Sequence, residues 1–172
     1  MIVYQQAFDI YHSVFRLLRL LDVFNRSESV EVDRLRIWDF YLLFPNKMPE
    51  ITLRREEEDV KKLIRNYIAK RENPYEELTD CRIMFEKIQP YQITAMKCLA
   101  SYGIISKETL SLNRVSVINK EELQTKLVNL PGLTDRETNA VKLLTSHFFL
   151  MPLSGEYGLK HRTGLIESKY DA

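Results

Sequence analysis

The stretch DRLRIWDFYLLFP, residues 33–45, decides the fold because it predicts a helix that is apolar around nearly its whole circumference. Asp33 is a plausible N-cap, and Pro45 ends the helix because proline disfavours helical conformation in the residue before it. A helix with so little polar surface belongs inside a core, or between a core and a partner. Its apolar side chains are Ile37, Trp38, Phe40, Tyr41, Leu42, Leu43 and Phe44.

Asp39 is the acidic side chain in the middle of this apolar run. An isolated carboxylate in such surroundings costs several kcal/mol, so we expect Asp39 to be ion-paired. Arg36 lies one helical turn earlier, and an arginine of another chain is the alternative partner. Asp39 could instead be a general acid, but no nucleophile, second carboxylate or set of oxyanion donors accompanies it. We therefore predict a structural, paired carboxylate.

Length and composition predict a globular cytoplasmic protein. The chain has 172 residues, of which 45% are hydrophobic and 28% charged, which suits one compact domain over residues 1–172. Alternatively, residues 1–50 and 74–172 form two smaller parts. The net charge of +1 is low for a protein that binds nucleic acid non-specifically. Two cysteines are too few for a disulfide framework, and no apolar run is long enough to span a membrane.

Apolar periodicity predicts a mainly α fold with small β-hairpins, an α+β class. A long helix is expected over residues 2–25, and a charged amphipathic helix over residues 53–72. Two further helices are expected over residues 120–129 and 134–148, separated by a turn that contains Pro131 and Gly132.

Residues 75–118 show the order of elements of a winged helix. The stretches PYEELTDCRIMFEKI and PYQITAMKCLASYGII each read as a helix, and SKETLSLNRVSVINK alternates around Asn113 as two strands joined by a turn would. The first fifty residues repeat this order loosely, with a short strand in SESVEV, so we expect one or two winged-helix-like units. In the tail, Tyr157 with Leu159 and Leu165 with Ile166 read as two short strands around a basic turn.

A winged helix suggests DNA binding, in which the second helix enters the major groove and the wing contacts phosphate. The exposed face of that helix would offer Gln92, Thr94, Lys97 and Ser101, which is a thin set for a protein that reads base sequence. A winged helix used as a protein-binding scaffold is at least as good an interpretation. The residues that would contact DNA are Arg16, Arg19, Arg26, Lys97, Arg114, Lys160, His161 and Arg162.

Catalytic and cofactor-binding motifs are missing from the sequence. There is no phosphate-binding glycine loop, no nucleophile elbow and no Cys/His set with zinc spacing. Asp9 and His12 lie one turn apart, but a metal site needs three or four converging groups. A hydrogen bond on the polar stripe of the first helix is the better interpretation of this pair. We predict a non-enzyme without metal or cofactor.

Three stretches, YHSVFRLLRLL, VDRLRIWDFYLLFP and GLKHRTGLIESKYD, resemble the middle-component proteins of bacterial ABC-three-component defence systems, a group that includes the LmuC subunit of Lamassu. The resemblance runs from Tyr11 to Asp171. It implies an accessory subunit that binds an SMC- or Rad50-like ATPase beside an effector, often a nuclease, and it supplies no catalytic residue. The expected partner-interface residues are Arg36, Trp38, Asp39, Phe40, Tyr41, Phe44, Leu159, Leu165 and Ile166.

The expected mechanism is docking on the ATPase through apolar surface from the helical core and from the closing block, residues 158–167. Docking would help to hold the effector inactive or to engage foreign DNA. Two other classes stay open: a stand-alone winged-helix transcription regulator that binds its own promoter as a homodimer, and a small hydrolase that uses Asp39 or His12.

Overall fold

The computed structural model describes residues 5–24, 28–68, 78 and 80–167. Over these residues the chain is mostly helical with a small two-stranded antiparallel sheet, which confirms the predicted class of mainly α with little β. The elements are α1 (Ile10–Val23), β1 (Val30–Glu31), α2 (Val32–Leu43), α3 (Glu58–Tyr67), α4 (Cys81–Ser101), α5 (Lys107–Ser111), β2 (Arg114–Val115), α6 (Lys120–Val128), α7 (Asp135–Thr145), α8 (His147–Leu150) and α9 (Leu159–Thr163).

The chain forms two compact units, and each draws on two separated stretches of sequence. Unit 1 consists of Met1–Asp39 and Lys87–Gly132. In it, β1 and β2 pair antiparallel with Val30 opposite Val115, which confirms the strand predicted in SESVEV. The division into residues 1–50 and 74–172 stays a prediction. Fully buried apolar side chains of unit 1 include Leu17, Leu20, Leu35, Trp38, Met96 and Ile104.

Unit 2 consists of Phe40–Glu86 and Leu133–Ala172. It contains the end of α2, all of α3, the start of α4, and α7, α8 and α9. The ring of Phe40 packs against those of Phe44 and Phe85, with centroids 5.1 and 5.9 Å apart. Other buried apolar side chains of this unit are Met48, Ile64, Ile68, Leu144 and Phe148.

Most of the apolar stretch 33–45 forms the buried helix that its composition predicts. Every residue from 34 to 42 is buried, so α2 has no face open to solvent along this length. The helix ends at Leu43, just before Pro45 opens a 3-10 helix, Pro45–Glu50. Because the charged residues of this stretch are buried too, the fold has to supply each of them with a partner.

The two helices expected before and after Pro90 are a single helix, α4, so that prediction was wrong. Proline inside a helix removes one backbone hydrogen bond and costs about 3 kcal/mol. Here the apolar residues on both sides of it are buried: Phe85 and Ile88 before, Ala95 and Met96 after. Their burial in one continuous element outweighs the local preference of proline.

The predicted hairpin around Asn113 is also different in the structure. Residues Lys107–Ser111 form α5 because the Ser106 hydroxyl accepts a hydrogen bond from the Thr109 backbone N–H and caps the helix. Asn113 then takes a left-handed conformation, with φ of 57°, and β2 pairs with the distant β1. An antiparallel bridge between Ile105 and Val117 closes this loop.

The tail contains a short helix where two strands were expected. Leu159–Thr163 form α9, and Gly164, with φ of 63°, ends it as a left-handed C-cap. Gly158 precedes the helix where the backbone of Ser154 comes so close that a Cβ atom would lie 2.5 Å from it. These glycines allow the tight turns on which α9 depends.

Helix ends differ from the predicted ranges for local reasons. α1 begins at Ile10 rather than near residue 2, because the Asp9 carboxylate accepts hydrogen bonds from the backbone N–H groups of Tyr11 and His12. α3 covers Glu58–Tyr67, after a 3-10 turn over Arg55–Glu57. The helix predicted over residues 134–148 is α7 followed by α8, with Thr134 as the N-cap.

Among the described residues, no helix is long and apolar enough to cross a membrane.

Candidate functional site

A buried ionic network in unit 1 surrounds Asp39; we call it the central network. The Asp39 carboxylate accepts hydrogen bonds from Arg16 Nε at 2.7 Å and Arg16 Nη2 at 3.2 Å. Its Oδ2 atom also accepts one from Gln92 Nε2 at 2.8 Å. Gln92 links the network to Arg36, whose Nε donates to Gln92 Oε1 at 3.0 Å. Arg36 in turn pairs with Asp33 at 3.2 Å.

Three helices supply this network. Arg16 comes from α1, Arg36 and Asp39 from α2, and Gln92 from α4. The Asp39 and Gln92 side chains are fully buried, and Arg16 and Arg36 nearly so. Buried charges are tolerated only when they are paired and hydrogen-bonded. The network therefore fixes the register of three helices, and removing one member would leave another charge or dipole unpaired.

The central network confirms that Asp39 is a paired carboxylate but corrects its partner. The partner is Arg16, 23 residues away, and not Arg36 on the same helix. Arg36 instead bonds Asp33 and Gln92. Burial lowers the pKa of Arg36 below its usual value, while Asp33 and Asp39 oppose that shift. Gln92 is buried as well, so it does not lie on an exposed recognition face as the winged-helix interpretation required.

The expected partner-interface residues lie mostly in the protein core. Arg36, Trp38, Asp39, Phe40 and Tyr41 are buried, as are Leu159 and Leu165, and only Phe44 and Ile166 are half-buried. In unit 1, Trp38 packs edge-on against Phe24 with ring centroids 5.4 Å apart. Their place in the core is observed, whereas a role in an interface stays a prediction that requires a rearrangement of the chain.

The expected DNA-contact residues are divided between internal pairing and exposure. Arg16 and Arg162 are buried and ion-paired, and Arg19 donates to the Pro131 carbonyl at 2.7 Å. Arg114 is exposed but bonds the hydroxyl and carbonyl of Ser29, each at 2.6 Å. Lys97 and His161 are exposed, Lys160 is half-buried, and Arg26 lies outside the described residues. A role in DNA binding stays a prediction for all of them.

In unit 2, the buried Arg162 links the closing block to the residue just before α3. Its Nη1 donates to Glu57 Oε2 at 2.6 Å, and its Nε donates to the Tyr157 carbonyl. Burial raises the pKa of Glu57, but the hydrogen bonds from Arg162 and from the Arg54 backbone outweigh it and hold that pKa below its usual value. Arg162, which was expected in a basic turn of the tail, therefore stabilises the fold of unit 2.

Asp9 and Cys81 carry groups that could react, and the surroundings of both disfavour a chemical role. Asp9 caps α1 and accepts from the His12 backbone N–H, which accounts for the spacing of that pair. Burial raises the pKa of the Cys81 thiol and so disfavours the nucleophilic thiolate. Within the described ranges, no three His, Cys, Asp or Glu residues cluster so that they could hold a metal ion.

The surface of α3 is a feature that sequence reasoning missed. An apolar groove of about 330 Å³ runs between α3 and the segment 49–53, and a second of about 220 Å³ runs between α3 and α7. We call these two grooves and their rims the α3 surface. The helix expected over residues 53–72 is amphipathic, but the pattern of a single helix does not show which segments pack beside it. The rims carry Lys61, Arg65, Lys142 and His147.

The comparison with protein families covers nearly the whole chain. Residues 2–171 match the family described as ABC-three component (ABC-3C) system Middle Component 5. No curated protein and no solved structure matches the chain. Because the match extends over far more than half of the sequence, the chain belongs to the Middle Component 5 family of ABC-three-component systems.

Proposed function

We propose that this protein is a non-catalytic accessory subunit of an SMC/Rad50-like ATPase complex that defends a bacterium against phages or plasmids, as in Lamassu. It docks on the ATPase and helps to control an effector, typically a nuclease, or the engagement of foreign DNA by the complex. ATP-driven rearrangement of the ATPase then releases the effector. The protein works in the cytoplasm, where these partners are.

The observation that carries the proposal is the family match over residues 2–171. The geometry around Asp39 supports the proposal that the subunit is not catalytic. Asp39, the best candidate for a general acid, is closed to solvent, and its carboxylate is held by Arg16 and Gln92. A general acid must be within hydrogen-bond reach of its substrate, and a side chain without exposed surface offers no such access.

Co-expression with the ATPase of the same system tests the proposal. We expect an affinity tag on this chain to retain the ATPase, and we expect both proteins to elute together from a size-exclusion column at physiological salt. Separate elution at micromolar concentration would refute the docking role, because a subunit of a stable complex buries enough surface to survive this dilution.

A stand-alone DNA-binding regulator would behave differently in a mobility-shift assay. It would shift a DNA fragment from its own promoter at nanomolar concentration without the ATPase, and the shift would depend on sequence. The proposal predicts no such sequence-dependent shift for the isolated chain. The burial of Gln92 and the internal pairing of Arg16 favour this outcome, since either side chain would have to leave its present partners to contact a base or a phosphate.

A further inference from the structure

The two grooves of the α3 surface have apolar floors. The larger is floored by Ile51, Leu53 and Ile64, and the smaller by Leu63 and Leu143. Ile68, at the C-terminal end of α3, lines both grooves. Binding the apolar face of an amphipathic helix is one recurring use of an apolar groove on a protein surface.

The charged side chains among the described residues that line these grooves are all basic. The charged residues among the described lining residues are Lys61, Arg65 and Lys142, His147 lies beside them, and no carboxylate belongs to the described lining. This is not a consequence of overall composition, because the chain carries 24 acidic residues against 25 basic ones. Lys61 has only a surface pair with Glu58 at 3.6 Å, which contributes little and is easily exchanged.

From this combination we infer that the α3 surface binds an acidic amphipathic helix of a partner protein, with the partner's apolar side chains in the grooves and its carboxylates on Lys61, Arg65 and Lys142. Helix-in-groove recognition supplies the affinity, and complementary charge supplies the orientation and the rate of association. The ATPase complex of the proposed function is the source of this helix, and the assignment of the partner rests on that proposal.

Nucleic acid fits the α3 surface less well. Its floor consists of aliphatic side chains, which offer neither a hydrogen bond to a base edge nor an aromatic face for stacking. Tyr67, about half of whose surface is exposed, is the one Phe, Tyr or Trp among the described lining residues. Cations around an apolar floor match carboxylates around an apolar helix face.

The direct test uses a fluorescein-labelled synthetic helix with leucines at i, i+3, i+4 and i+7 and glutamates beside them, titrated with the full chain. We expect an anisotropy increase that weakens at higher ionic strength. Lys61→Glu combined with Arg65→Glu should weaken binding about tenfold or more, since like charges would then face each other. Lys62→Glu is the matched control, because Lys62 lies on α3, is exposed and lines neither groove.

Several results would overturn the inference. They are no binding of the acidic helix, equal binding of a version whose glutamates are lysines, or equal weakening by Lys62→Glu. Self-association of the free chain that Lys61→Glu with Arg65→Glu abolishes would assign the grooves to a second copy. Tighter peptide binding after Glu72, Glu76 and Glu77 are changed to Gln would assign the grooves to residues 72–77 of the chain itself.

Failure of this inference and failure of the proposed function give different results. If the ATPase copurifies equally with the wild-type chain and with the Lys61→Glu, Arg65→Glu variant, docking stands but does not use the α3 surface. If the acidic peptide binds specifically and the ATPase does not copurify, the α3 surface is a binding site for a partner outside the ATPase complex.

Discussion

The central network of unit 1 and the α3 surface of unit 2 both use arginine, but they use its charge in opposite ways. In the central network, Arg16 is buried and its charge is neutralised by Asp39 at 2.7 Å. On the α3 surface, Arg65 is exposed at the rim of an apolar groove and forms no ion pair with the described residues. The contrast separates charge that holds the fold together from charge that is available to a partner.

Asp39→Ala should have the largest effect. It leaves the Arg16 guanidinium buried without its counter-ion, and breaking such a pair costs about 3–5 kcal/mol. We expect the midpoint of urea denaturation to fall accordingly. Glu121→Ala, on α6 of the same unit, is the control, because the Glu121 side chain is exposed and such a surface substitution changes the free energy of unfolding by about 0.5 kcal/mol or less. Equal losses in the two variants would contradict the structural role of the central network.

Gln92→Leu should have the next largest effect. It keeps an apolar side chain of similar size but removes the amide that donates to Asp39 Oδ2 and to the Arg36 carbonyl. Leaving buried groups without their hydrogen bonds costs about 1–3 kcal/mol each. Thr94→Ala, on the exposed face of the same helix, should change stability by less than about 0.5 kcal/mol. A Gln92→Leu variant as stable as the wild type would show that this amide is dispensable.

Glu57→Gln should have a smaller effect that depends on pH. The folded-state pKa of Glu57 is depressed, so its contribution is present above the ordinary carboxyl pKa of about 4.3 and is lost as the pH falls through the folded-state value. At pH 7 the variant should be about 1–2 kcal/mol less stable than the wild type, because a hydrogen bond to a charged group is lost. The difference should narrow in acid. Glu56→Gln, whose side chain is 79% exposed, should show neither effect.

Lys61→Glu combined with Arg65→Glu should have the smallest effect on stability. Both side chains lie on the surface, and such substitutions change the free energy of unfolding by about 0.5 kcal/mol or less. The same variant should bind the acidic helix about tenfold more weakly or worse, as inferred above. If thermal unfolding shows a loss comparable to that of Asp39→Ala, the two cations belong to the fold and the contrast between the two regions is wrong.

The sequence allowed the role of Asp39 to be predicted but not its partner. A carboxylate in an apolar helix has to be paired, and that follows from local composition alone. Arg16 becomes its partner only when α1 packs against α2, and nothing within one helical turn of Asp39 signals a residue 23 positions away. The burial of Gln92 has the same origin, because it depends on how α4 approaches α2.

The missed elements show where local signals compete with tertiary packing. The break expected at Pro90 follows from a sound local rule, and the burial of residues on both sides of it overrides that rule in α4. By contrast, the sequence around α5 and α9 contains helix-capping residues, but the alternation of apolar and polar residues there favoured strands instead. Ser106 is a good N-cap residue, and Gly164 is a good C-cap residue.

The central claim is that this protein acts by joining a larger complex and not by its own chemistry. The most direct measurement is light scattering on a size-exclusion column, with the purified ATPase of the same system mixed with increasing amounts of this chain. We predict a single species whose mass is the sum of a fixed number of copies of both proteins, and whose amount saturates. Two peaks with the masses of the separate proteins at every mixing ratio would contradict the account.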